Sequence, residues 1–188
     1  MTVGFALCGS FCTFSQVFPV MEQLTAAHTV IPIFSPAASC VDSRFGTAQS
    51  HLSKAREICG IEPLQEIAQA EPIGPKKLLD ALIIAPCTGN TLAKLAHGIA
   101  DTAVTMAAKS HLRNGRPVIV AISTNDALAG AAENIGRLLA RKNYYFVPFG
   151  QDDAVQKPTS MVADFTQIPQ TLALAVEGKQ IQPLLLGQ

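Results

Sequence analysis

Small residues bearing hydroxyl or amide groups recur in this chain wherever an apolar run gives way to a new segment. Gly9-Ser10 follows the run 2–7, and Ser35 follows 29–34. Thr88, Asn90 and Thr91 follow 82–85, and Ser123-Thr124-Asn125 follows 118–121. Such side chains, beside the unpaired N–H groups of a helix's first turn, can hold a phosphate. The competing reading is capping, for which Ser, Thr and Asn are equally suited. Four such corners along one sheet edge favour a ligand over capping alone, because ligands of open α/β sheets bind at the carboxyl ends of the strands. The candidate cofactor-binding residues are Gly9, Ser10, Ser35, Thr88, Asn90, Ser123, Thr124 and Asn125. The first turn carries neither Gly-x-Gly-x-x-Gly nor Gly-Lys-Ser/Thr, so the expected ligand is a mononucleotide, not a dinucleotide or a triphosphate.

The elements that must position these corners follow from the hydrophobic pattern. Residues 82–85 are a short apolar run between Asp80 and Pro86, which reads as a strand buried on both faces. Leu92, Leu95, Ala96 and Ile99 then repeat at helical spacing. Strands are expected at 2–7, 29–34, 118–121 and 144–148. Helices are expected at 15–27, 48–59 with Gly60 as the stop, 64–70, 101–113 and 165–177. A further helix is expected directly after Ser123–Asp126, with Leu128, Ala131, Ile135, Leu138 and Leu139 on its inner side. Residues 37–47, the Pro/Gly-rich 71–77 and the stretch after Gly150 read as loops. This alternation predicts a three-layer α/β/α sandwich around a mostly parallel, Rossmann-like (flavodoxin-like) sheet. Residues 1–178 form one domain and 179–188 a loose tail.

Composition narrows the function classes. Of 188 residues, 48 % are hydrophobic and only 15 % charged, a balance that suggests surface covered by further copies. Lys+Arg and Asp+Glu are 14 each, with no basic stripe, which argues against a nucleic-acid partner. Five cysteines without Cys-x-x-Cys spacing support neither a disulfide framework nor zinc, and no metal site is expected. Cys8 and Cys12 read as packing residues or as a redox pair. No charged leader and no membrane-length apolar run is seen, so a cytoplasmic protein without a membrane partner is expected.

The stretch Ala85-Pro-Cys-Thr-Gly-Asn-Thr91, continuing to Asp101, resembles the Pro-Ala-Ser-Ala-Asn-Thr motif of the FMN-binding cysteine-decarboxylase superfamily. Gly9-Ser10 matches that superfamily's first loop, and Ser123-Thr124-Asn125 stands where it has Pro-Ala-Met-Asn. Within it the chain is similar to the family of dipicolinate synthase B subunits, through 70–76, 104–109, 111–114, 123–128, 147–153 and 157–158. The resemblance implies an oxidoreductase subunit that forms pyridine-2,6-dicarboxylate from a dihydrodipicolinate-type precursor in the mother cell of a sporulating bacterium. It implies FMN on this chain, its ring near Ser123 to Asn125, and a partner, the A subunit, carrying NAD(P). Homo-oligomers built on trimers are also implied. Two departures stand out. The decarboxylases' His before the central strand aligns with Pro72, and their Met with Thr124. Both argue against the alternative of a decarboxylase. A non-catalytic partner that stabilises the A subunit is the other alternative.

A dicarboxylate substrate needs cations, and Arg44, Lys109, Arg113 and Lys157 are the candidates. Lys109 and Arg113 also suit a helix C-terminus. His97 shares a helical stripe with Asn90, Lys94 and Asp101 and is a candidate for proton transfer, or else part of a solvated face. Asp152, beside Asp153, is a candidate base for aromatisation, or else turn chemistry.

Overall fold

Alternation of buried strands and amphipathic helices places the first strand almost at the chain's start. In the computed structural model, which describes residues 1–187, Thr2–Leu7 forms β1 and every residue from Val3 to Leu7 is buried. Thr29–Phe34 forms β2, Ala81–Cys87 β3, Val118–Thr124 β4 and Tyr144–Phe146 β5. These five pair in parallel in the order β2-β1-β3-β4-β5. That is the flavodoxin-like order. β3 lies at the centre and is buried along its whole length. Leu82, Ile83 and Ile84 are wholly enclosed, each burial contributing about 1.5–3 kcal/mol.

Helices cover both faces. α1 (Phe14–Thr25) packs with α3 (Ala48–Cys59) and α8 (Ile168–Val176). On the other side α4 (Ile67–Ala70) packs on α6 (Ala103–Leu112), and α5 (Gly89–His97) on α6 and α7 (Ala132–Leu139). Gly60 and Gly98 end α3 and α5 with φ of 65° and 72°, values a side chain would strain.

Several expectations need correction. Residues 37–47 are not all loop: α2 (Pro36–Cys40) starts at once, with Ser35 as cap and Pro36 at its first position. Leu64 is not helical. Its N–H donates to the Pro32 carbonyl at 2.9 Å and its carbonyl accepts from the Phe34 N–H at 2.8 Å, extending the sheet past β2. The Pro/Gly stretch holds a 3₁₀ turn at Glu71–Ile73. β4 runs on to Thr124, and α7 begins only at Ala132. The segment between them turns outward because the Leu128 N–H bonds the Thr159 carbonyl at 3.0 Å. Leu128 is therefore exposed rather than core, and Leu139, in the last turn of α7, is exposed as well. Two strands too short to show a period, β6 (Phe149–Gly150) and β7 (Met161–Ala163), form an antiparallel hairpin on the end of β4.

The tail is docked, not loose. The Gln180 side chain accepts from the Phe146 N–H at 2.8 Å and donates to the Phe146 carbonyl at 2.7 Å. Ile181 is buried, and residues 184–186 exchange backbone bonds with Phe149. The last residue of the expected tail, 188, lies outside the described residues.

Candidate functional site

The carboxyl ends of β1, β3 and β4 meet at a cleft of about 520 Å³. Gly9 and Ser10 come from the corner after β1, Thr88 from the corner after β3, and Ser123, Thr124 and Asn125 from β4 and its exit. The corners converge because the strands are parallel neighbours in the order β1-β3-β4. The Ser10 and Ser123 hydroxyls are 2.7 Å apart.

The choice between capping and ligand binding is decided helix by helix. Three helical segments follow directly on parallel strands. Ser35 caps α2, its Oγ accepting from the Ala38 N–H at 3.3 Å. Ser10 makes no capping bond to the 3₁₀ turn Phe11–Thr13 that leads into α1. Thr88 makes none to α5, its hydroxyl lying 3.3 Å from that of Thr91 instead. The entries after Ser10 and Thr88 are thus without a side-chain cap, and Ser10, Phe11 to Thr13 and Thr88 line this cleft. Uncapped donors and the dipole at a helix start favour an anion.

Packing holds the corner after β3 close to the corner after β4. A Cβ at Gly89 would stand 2.8 Å from Asp126 Oδ1 and 2.9 Å from Thr124 Oγ1. Thr124 in turn donates to Asp126. A side chain at position 89 would have to push these two side-chain ends aside.

Asp152 and Lys157 reach the cleft from the loop joining β6 to β7. They form an ion pair of 3.1 Å. Burial alone raises the Asp152 carboxyl, but hydrogen bonds from Ser160 and Lys157 outweigh it and hold it below the usual carboxylate range. The same loop is fastened to the corner after β4. Thr159 Oγ1 donates to the Asn125 carbonyl at 2.6 Å, and Ser160 Oγ, whose single proton is shared with Asp152, lies 3.4 Å from Asn125 Oδ1. With its amide oxygen so engaged, Asn125 has N–H groups left to donate. Asp153 is turn chemistry, its carboxylate accepting from the N–H groups of Val155 and Gln156.

Other expected residues lie elsewhere. Ser35 is buried and spent on its cap. Asn90 is exposed on the first turn of α5 and does not line the cleft. Arg44 does not line it either. Its guanidinium sits 4.8 Å over the ring of Phe45, which does. His97 is at the far end of α5, roughly 12 Å from Gly89 by helix rise, in neither this cleft nor the next. Its stripe partners Lys94 and Asp101 form an ion pair of 2.9 Å. Lys109 and Arg113 line a separate cleft with Arg141 and Tyr144. Cys8 is no redox partner for the exposed Cys12. Burial pushes its thiol up to about 11, against lowering hydrogen bonds led by Thr91 at 3.2 Å, so it stays protonated and inert.

Sequence reasoning missed the apolar lining: Phe11, Phe45 and Val162. Phe45 had a signal, an aromatic beside an arginine in a loop, and is 46 % exposed. Val162 had none, since its strand has three residues. Among the described residues no group of carboxylate, imidazole or thiol ligands is placed to hold a metal. No helix is long and apolar enough to cross a membrane.

A flavodoxin-like sheet with hydroxyl- and amide-bearing corners lining a cleft at its carboxyl edge defines a class, and the chain belongs to the flavoprotein family, whose model matches residues 1–167. Within that class it is 44 % identical to the B subunit of dipicolinate synthase from Bacillus subtilis (strain 168), over 98 % of this chain and 92 % of that protein. The crystal structure of the dipicolinate synthase B subunit from Bacillus halodurans C superposes with a TM-score of 0.91 at 44 % identity, covering all of this chain and 96 % of that one. An FMN-dependent cysteine decarboxylase, SpaF, shares the fold at a TM-score of 0.68 and 20 % identity, over 93 % of this chain and 97 % of that one.

Proposed function

We propose that this chain acts as the B subunit of a dipicolinate synthase and that the cleft at the carboxyl ends of β1, β3 and β4 holds FMN. The observation that carries the flavin assignment is the pair of uncapped helical entries facing one cleft, while the neighbouring α2 is capped by its own Ser35. The donor set fits the group. Ser10 and Thr88, with the first N–H groups of α5, suit a phosphate. Ser123, Thr124 and Asn125 offer neutral donors for ribityl and ring edges, and Phe11, Phe45 and Val162 offer apolar contact. FMN, when bound, supplies a two-electron acceptor for dehydrogenation.

The chain's own residues bind and orient a dicarboxylate and take its proton. Lys157 is the cation in the cleft, and Arg44 rests on Phe45, whose side chain lines it. Asp152, ionised throughout the neutral range, is the group suited to accept a proton as the ring becomes aromatic. An A subunit carrying NAD(P), a precursor of the dihydrodipicolinate type and assembly into trimers or their multiples complete the reading. Pro72 and Thr124 replace the His and Met of the decarboxylase pattern, which disfavours decarboxylation. The experiment is an assay of pyridine-2,6-dicarboxylate formation by the A subunit with and without this chain, each with and without FMN. Dependence on both supports the proposal. Stimulation by this chain without flavin retention on gel filtration overturns the FMN assignment and leaves a stabilising role.

A further inference from the structure

The last turns of α5 and α6 meet β5 at a second cleft of about 390 Å³, well within the size of small-molecule sites. Its floor is apolar, made by Leu95, Ile99 and Leu112 with the ring of Tyr144. Its cations are Lys109, Arg113 and Arg141, and no carboxylate lines it. The first cleft differs in this respect, since Lys157 there is paired with Asp152.

The bland account is that these cations serve two helix C-termini. Magnitudes decide how far it reaches. Each helix end presents about half a negative charge, so two ends offset roughly one of the three cations. Arg141 does that work visibly. Its guanidinium donates to the Leu95 carbonyl at 3.0 Å and the Ala96 carbonyl at 2.6 Å, at the end of α5. Lys109 and Arg113 stand four apart on one helix face and have no carboxylate within 4 Å among the described residues. About two positive charges are left over an apolar floor. Burial pushes the Tyr144 phenol up to about 12, with Arg141 lowering it only in part, so it remains a neutral O–H donor.

We propose that this second cleft is a binding site for a small dianion with a flat apolar body, an aromatic dicarboxylate, distinct from the first cleft. Lys109 and Arg113 each take one carboxylate, and the ring lies on Leu95, Leu112 and Tyr144. The charge argument stands whether or not the first cleft binds flavin. The site offers a place where product could be sensed away from the reacting centre.

The test is titration calorimetry of the full chain, without flavin, with pyridine-2,6-dicarboxylate, and with the neutral pyridine-2,6-dicarboxamide as control. For the dianion a site is expected beside the one at Lys157 in the first cleft, retained in Lys157→Ala, and none for the diamide. Arg113→Ala and Lys109→Ala should each weaken binding by about tenfold or more, the scale of a lost charge-assisted hydrogen bond. Arg113→Lys should restore part of it. Both variants should bind FMN as the parent does, which separates this inference from the flavin proposal. Unchanged affinity in both variants overturns the site. So does loss of binding in Ser123→Ala but not in Arg113→Ala, which puts the dianion in the first cleft. Absence of dianion binding, with dissociation of an oligomer by Arg113→Ala, shows instead a face covered by a second copy and equally overturns it.

Discussion

Ser10 and Ser123, 113 positions apart in sequence, share a hydrogen bond of 2.7 Å across the end of the strand between them. β1 and β4 are not neighbours, because β3 separates them. The bond therefore ties the first corner to the fourth across the end of β3, within the cleft that Thr88 also lines.

Ser10→Ala and Ser123→Ala should each weaken FMN binding by about fivefold, the worth of one neutral hydrogen bond. The double variant should lose less than the product of the two, because both remove the same contact. Quenching of flavin fluorescence on titration measures all three.

Thr88→Asp separates stability from binding. Thr88 has the extended backbone of an N-cap residue but caps nothing. An aspartate there can bond the first turn of α5 and favour its dipole, worth about 1 kcal/mol. Calorimetric melting should rise by roughly 2–4 °C. Flavin binding should vanish, since a carboxylate now fills the place of the phosphate. A variant that binds flavin as before excludes α5 as the phosphate site.

Acid should unfold the protein partly through His111. Its ring is wholly buried, with Nε2 3.0 Å from the Pro117 carbonyl and Nδ1 without a partner among the described residues. Desolvation, outweighing the Pro117 bond, brings its pKa down from 6.5 to about 4. The unfolded chain thus takes up the proton first. Stability falls as pH drops from 6.5 toward 4, by up to about 3 kcal/mol, and this contribution is complete below that. Urea midpoints across the interval should slope less in His111→Gln than in the parent.

Asp152→Asn should cut kcat by about a hundredfold or more if the carboxylate is the base, with a smaller change in KM. The parent's rate should fall on the acid side only below the ordinary carboxylate range, because Ser160 and Lys157 hold the ionised form. The variant should show no such limb. A pH profile of pyridine-2,6-dicarboxylate formation checks both.

The sequence made the five parallel strands and most helices legible, because each strand is built on a mainly apolar run and each long helix has one wet face. Three of the four polar corners line one cleft because parallel strands end on one edge, a consequence of the alternation that the sequence already shows. Ser35 was indistinguishable from Ser10 by residue type, since only geometry tells a spent hydroxyl from a free one. Lys109 and Arg113 stand at the end of α6, as suits cations at a helix C-terminus, but nothing local in the sequence says which cleft that end borders. The β6–β7 hairpin, which brings Asp152, Lys157 and Val162 to the site, rests on strands of two and three residues, too short to leave a pattern.

The amide of Gln180 impersonates a strand: it gives and takes both backbone bonds of Phe146. Leu64 does the same service for Pro32 and Phe34 at the opposite margin. At these two points each rim is covered, which leaves fewer free backbone groups there for a visiting strand to pair with. Docking on helix surfaces and at the clefts, where side chains do the reading, is favoured to that extent over lengthening of the ladder.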